Sequence, residues 1–234
     1  LSIYRKIEKM NISNDAKEIL NISLLTNSYF PKKNITDDQF LKLKIDWLKK
    51  NSDLNLIKDY LVKNNNINQN SDLIKFIVDI HLSNSEIEKA CNVFSNLKEP
   101  INDNYLSKFN IYCLINLNKR EEAQLQYDLK IEFGWKDELF NKRFNFLMGY
   151  NDKVDDYISE ESILDFHLSH RTIEEFKFEP NQTTSKKIWK YLSTSNLLGS
   201  FDNIDLEDQN KILIIEKAIH DGNYEEKELY ELYK

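Results

Sequence analysis

Residues 114–127 read LINLNKREEAQLQY, and two earlier windows share their register: 81–94, HLSNSEIEKACNVF, and 48–61, LKKNSDLNLIKDYL. Each window begins 33 residues after the one before it. Matching positions carry Ile57, Ala90 and Ala123, and four residues further on Leu61, Phe94 and Tyr127. The register extends upstream through Phe40, Leu73 and Leu106, then Leu43, Phe76 and Phe109, then Trp47, Ile80 and Cys113. Steps of three and four residues put each set on one face of an α-helix. Self-similarity at about 33–34 residues is the signature of stacked helix pairs. A pair that is apolar on two faces cannot bury both alone, so neighbours stack into a continuous core.

The 234 residues include 41% hydrophobic side chains, with 13 Phe and 12 Tyr against only 4 Gly and 3 Pro. A sizeable core can form, and the shortage of breakers and of alternating β-branched runs predicts an all-α chain. The net charge of −7 argues against a nucleic-acid footprint, which is normally basic. Apolar runs such as Ile212–Ile215 are far too short to cross a bilayer, so no membrane insertion is expected. The chain opens at Leu1 and ends on a helical pattern, Glu225–Lys234, without a capping signal, which reads as a piece of a longer or processed polypeptide. Its richness in Asn, Lys and Ile reads as codon bias of an A+T-rich, bacterial genome. The sequons at Asn11, Asn21, Asn34 and Asn181 follow from that Asn content. Cytoplasm and periplasm both fit, and oligomeric state is not written in the pattern. Cys91 and Cys113 form no disulfide framework and are expected to be buried free thiols acting as small hydrophobes.

Along the chain, Asp15–Tyr29 is expected to be helical and Pro31 to end it. Thr36-x-x-Gln39 is a capping box opening a helix with Phe40, Leu43 and Trp47 on one face. Ser52 or Asp53 starts its partner. The next pair opens at Ser71 or Asp72, with a second capping box at Ser85-x-x-Glu88. The third runs from about Asn104 to Glu132, turning near Asn118, with Gly134 as C-cap. Further on, the residue pattern fades. Helices are expected at Leu139–Leu147, Ser162–Phe176, Thr184–Leu198, Leu206–His220 and Glu225–Lys234. The break at 176–183 suggests an array over 1–176 and a C-terminal helical subdomain or diverged repeats over 177–234.

Segments 80–97 and 113–130 resemble tetratricopeptide repeats, with Ala90 and Ala123 as the small residue where two helices cross and Phe94 and Tyr127 as the aromatic four residues later. The resemblance covers about 36–132 and departs from the family in lacking the usual helix-A Gly and in carrying Ile57 at the small position. It implies antiparallel helix pairs stacked as a right-handed superhelix with a concave groove. By register the groove positions are Lys42, Lys75 and Lys108, and beside them Asp46, Asp79 and Tyr112. A Lys ladder there would hold a carboxylate or an acidic extended peptide; a solvated face of a Lys-rich chain gives the same column. A weaker similarity, to the superhelical region of bacterial soluble lytic transglycosylases, implies a catalytic domain elsewhere.

Asp165-x-His167-x-x-His170 has metal-ligand residue types but not the H-E-x-x-H spacing, so no metal is assigned. The acidic pairs 155–156, 160–161, 174–175 and 225–226 fall near helix starts, where carboxylates complement the dipole. Trp189 and Tyr191 fit core packing better than a groove. No phosphate loop, G-x-S-x-G or CxxC occurs. The expectation is a non-enzymatic scaffold or adaptor with no cofactor and no nucleic acid, binding a protein or peptide partner, an acidic one included. The alternative is the non-catalytic superhelical region of a cell-wall lytic enzyme or another envelope protein.

Overall fold

A computed structural model describes residues 6–7, 9–26, 33–51, 54–63, 68, 70–95, 100–181 and 183–198, with 212, 216, 219 and 230. Among the described residues the chain is all-α, with no strand. The helices are α1 (Asn14–Leu25), α2 (Asp37–Asn51), α3 (Leu54–Lys63), α4 (Ser71–Ser83), α5 (Ile87–Asn92), α6 (Asn104–Asn116), α7 (Arg120–Glu132), α8 (Glu138–Leu147), α9 (Ile163–Thr172) and α10 (Lys186–Thr194). The expected helices at 206–220 and 225–234 lie almost entirely outside the described residues. Two units make up the chain, Leu1–Ile77 with Leu97–Ile101, and Val78–Asn96 with Asn102–Lys234. The division falls inside α4, and residues 176–183 lie within the second unit.

Local chemistry sets the helix starts. Thr36 and Gln39 form the expected reciprocal capping box: Thr36 N–H donates to Gln39 Oε1 at 3.2 Å and Gln39 N–H to Thr36 Oγ1 at 3.3 Å. Ser13, Asp103, Asp137, Ser162 and Ser185 each accept from a backbone N–H three residues on, at α1, α6, α8, α9 and α10. Each such cap is worth about 1 kcal/mol.

The helix ends share one device. Ser85, Asn118, Gly134, Gly149 and Asn196 all have positive φ. The residue after each donates its N–H to the carbonyl five positions back, as in Glu86 to His81 and Lys119 to Leu114, both 2.8 Å. This is the Schellman closure, which needs a left-handed residue just past the helix. Gly134 thus ends α7 as expected. Ser85 does not head a capping box: it is the left-handed residue that closes α4, as Asn118 closes α6. Its hydroxyl lies 2.9 Å from Thr194 Oγ1 and 2.7 Å from Ser195 Oγ instead.

In the first unit, α1 packs on α2 around Leu24, Phe40 and Trp47, with Ile12, Leu20 and Leu43 beside them. Trp47 Nε1 donates to Asn21 Oδ1 at 2.8 Å, which ties one sequon asparagine into the helix contact.

In the second unit α6 is central, packing on α5, α7 and α8, while α9 packs on α8 and α10. Ala90 and Ala123 have no exposed surface. Tyr127 stacks on Phe144 at 4.0 Å and meets Trp135 edge-on at 6.3 Å. Trp189 and Tyr191 are buried as core residues. The cysteines are not free thiols: Cys91 of α5 and Cys113 of α6 are joined in a disulfide across 22 residues. The register had put Cys113 on the inward face of one helix and Cys91 next to the packed Ala90 of another. Crossing of those helices brings the two α-carbons to 5.3 Å.

Candidate functional site

From Ile163 to Ser169, α9 is buried on every side. The polar side chains on such a helix must find partners inside the protein, because leaving one unsatisfied costs about 1–3 kcal/mol. They find them on α6, on α10 and in the cap of α8.

Lys108 of α6 holds two carboxylates. Its Nζ lies 2.8 Å from Asp165 Oδ1 of α9 and 2.9 Å from Asp137 Oδ2, the residue that caps α8. Burial works against the Lys108 charge, but Asp165 and Asp137 outweigh it, and the pKa stands above the ordinary lysine value. Asp165 Oδ2 also accepts from Ser162 Oγ at 2.6 Å.

One turn further along α6, Tyr112 begins a chain of aromatic hydrogen bonds. Tyr112 Oη is 2.8 Å from His167 Nε2, His167 Nδ1 is 2.7 Å from Tyr191 Oη, and Tyr191 Oη is 2.7 Å from His170 Nδ1. Burial, then the charges of Arg171 and His170, push His167 down to about 3. A neutral imidazole carries one ring proton, and Tyr191 has one hydroxyl proton for two histidines. The chain therefore has one direction at a time. With His170 Nδ1 accepting, Tyr191 donates to it, His167 Nδ1–H donates to Tyr191, and Tyr112 donates to His167 Nε2. A proton on His170 Nδ1 instead frees the Tyr191 proton to turn to His167 Nδ1, which allows the opposite direction.

A third contact joins α4 to α10. Asp79 Oδ2 pairs with Lys187 Nζ at 2.5 Å, and Asp79 Oδ1 accepts from the Tyr105 hydroxyl at 2.5 Å. Burial, with the Asp79 carboxylate beside it, raises the Tyr105 pKa.

The residues read from the sequence as groove positions thus separate. Asp79, Lys108 and Tyr112 meet Lys187, Asp165 and His167 of the same chain. Lys42 and Asp46 are exposed on α2, and Lys75 is half-buried on α4. The weighed cluster Asp165, His167 and His170 is taken up by Lys108, Tyr112 and Tyr191, and no group of three or more His, Cys, Asp or Glu side chains is placed to hold a metal among the described residues. Asp137, Lys187 and Tyr191 had no signal in the pattern, since their partners lie 21 to 108 residues away. The arrangement fastens helices together.

A further polar clamp was also unforeseen. Arg143 of α8 has no exposed surface. Its Nη1 donates to the Asp155 carbonyl at 3.0 Å, and its Nη2 to Asp155 Oδ1 at 3.3 Å and to the Tyr157 carbonyl at 2.5 Å. The segment 151–161, which has no regular structure, is pinned by these bonds. Arg143 follows Phe140 by three residues, as Leu43 follows Phe40, so an arginine occupies a position where the register carries an apolar side chain.

In the first unit a cleft of about 330 Å³ is lined by Trp47, Ile12, Lys9, Lys17 and Lys50 among others. Among the described residues no helix is long and apolar enough to cross a membrane. No family model, no curated protein and no solved structure matches this chain.

Proposed function

We propose that the chain is a non-enzymatic interaction scaffold, a tetratricopeptide-like array of helix pairs whose helix-A side holds a peptide or protein partner. The observation that carries this reading is the helix spacing. α2, α4, α6 and α8 open at Asp37, Ser71, Asn104 and Glu138, intervals of 34, 33 and 34 residues, while α3, α5 and α7 open at Leu54, Ile87 and Arg120. A supersecondary unit repeated in this way lends itself to an extended binding surface. The engagement of the second unit's buried Lys, His, Tyr and Asp side chains with one another supports a structural rather than a catalytic use. Because Lys108, Tyr112 and Asp79 take internal partners, the exposed groove positions narrow to Lys42 and Asp46 of α2, of which Lys42 would meet an acidic partner. Cross-linking of the full-length protein to its partners, with the sites mapped by mass spectrometry, tests this. The reading predicts cross-links to α2 that a Lys42→Ala variant loses. Partners captured equally by both proteins, through other helices, would sink it.

The Cys91–Cys113 disulfide favours a second reading, a non-catalytic helical region of an envelope protein such as a cell-wall lytic enzyme, because structural disulfides persist in oxidising compartments. Alkylation of intact cells before lysis discriminates: unlabelled cysteines support it, and full labelling removes it.

A further inference from the structure

The two units carry opposite net charge. The first, Leu1–Ile77 with Leu97–Ile101, holds 14 basic against 10 acidic residues, and the second 18 against 29. The net −7 of the whole chain therefore conceals a basic unit. A basic half within an acidic chain draws anions to itself.

The cleft of about 330 Å³ belongs to this unit. It is lined from the stretch before α1, from α1 and from the end of α2. Lys9, Lys17 and Lys50 line it, whereas the carboxylates described on α1 and α2, Asp15, Glu18, Asp37, Asp38 and Asp46, do not. Lys9 and Lys17 form no ion pair among the described residues. The rest of the wall is largely apolar. Ile7 and Ile12 pack against the Leu24–Phe40–Trp47 core, and the Trp47 indole is held in place by its bond to Asn21. Met10 also lines the cleft and is 62% exposed, so it offers apolar surface for a ligand to cover.

We propose that this cleft binds a small amphiphilic anion, a carboxylate or phosphate head on a short apolar body. Lys9, Lys17 and Lys50 meet the head, and Ile7, Met10 and Ile12 meet the body. Like charges converging on a concavity raise the local concentration of their counter-ion. The lysine stems extend the apolar wall while their ammonium groups stay wet. The volume suits one small molecule, since ligand sites begin at about 300 Å³. Nucleic acid fits less well: a single strand needs aromatic faces to stack on, and Trp47, which lines the cleft, is only 3% exposed. The proposal uses neither Lys42 nor Asp46 and stands apart from the groove reading.

The test is isothermal titration calorimetry of the whole chain with octyl phosphate, kept below its micelle-forming concentration. Methyl phosphate, the head alone, and octyltrimethylammonium, the same body with the opposite charge, are the controls. The proposal predicts one salt-sensitive site for octyl phosphate. Methyl phosphate should bind about tenfold more weakly or worse, and the cation should not bind. Lys9→Gln/Lys50→Gln should weaken octyl phosphate by about tenfold. Met10→Ser, an independent variant, should weaken it by about threefold or more. Lys33→Gln/Lys63→Gln, which removes the same charge elsewhere in the unit, should leave it unchanged. All these side chains are exposed, and unchanged thermal unfolding shows that the variants fold. Absence of octyl phosphate binding, equal binding of the cation, or equal losses in the two lysine pairs overturns the proposal. So does binding of phosphatidylglycerol vesicles without binding of octyl phosphate, which would assign the lysines to a membrane surface.

Discussion

Lys108 Nζ lies 2.8 Å from Asp165 Oδ1, joining α6 to α9 across 57 residues of sequence. Asp137 completes the site at 2.9 Å. A lysine held between two carboxylates is stable only while all three are present: removing one member of a buried charge cluster costs several kcal/mol. With Tyr112–His167 and Asp79–Lys187, this contact means that side chains of α4 and α6 meet the chain's own α9 and α10.

His167 makes stability depend on pH. Its pKa is about 3 in the folded chain and about 6.5 unfolded, so below pH 6.5 the unfolded state takes up a proton that the folded state refuses. The stabilisation is complete above about pH 6.5 and declines as pH falls towards 3, by up to about 1.4 kcal/mol per pH unit. His170, also lowered by burial and by Arg171, acts in the same sense. Urea unfolding at pH 7.5 and 5.5 should show a smaller difference in His167→Gln than in the wild type.

The disulfide closes a loop of 22 residues, for which the chain-entropy relation gives about 3 kcal/mol. Unfolded, unreduced protein should show no reactive thiol in a thiol titration. Reduction, or Cys91→Ala/Cys113→Ala, should lower the urea midpoint by the equivalent of about that amount.

Arg143→Leu keeps most of the buried volume but leaves the carbonyls of Asp155 and Tyr157 without their donor. Destabilisation of roughly 2–4 kcal/mol is expected. It should be accompanied by faster hydrogen exchange in residues 154–160, with α6 and α7 less affected.

The helices were largely legible because their causes are local. Thr36 and Gln39 cap α2, Asn118 and Gly134 close α6 and α7, and the small Ala90 and Ala123 are fully buried. Ser85 misled because Ser-x-x-Glu reads as a capping box, whereas the helix before it needed a left-handed closing residue at that place. The same register that picked out Lys108, Tyr112 and Asp79 could not name their partners. Asp165, His167 and Lys187 come from helices that do not follow the residue pattern, and burial of a charged side chain there depends on long-range packing. The disulfide failed to show for the same reason: two cysteines 22 residues apart become neighbours only once α5 crosses α6. Arg143 left a trace, a charged residue at an apolar register position, but not the loop it holds.

Lys108 of α6 is enclosed by the chain's own Asp137 and Asp165, and a double-mutant cycle probes that contact. Lys108→Met, Asp165→Asn and the double variant are compared with the wild type by urea unfolding at pH 7. If Lys108 and Asp165 are partners inside the fold, each single variant is strongly destabilised and the double variant recovers part of the loss, with a coupling energy of about 1.5 kcal/mol or more. Effects that add to within about 0.5 kcal/mol, with the single Lys108→Met variant nearly as stable as the wild type, would contradict the account and return Lys108 to the open wall of a groove.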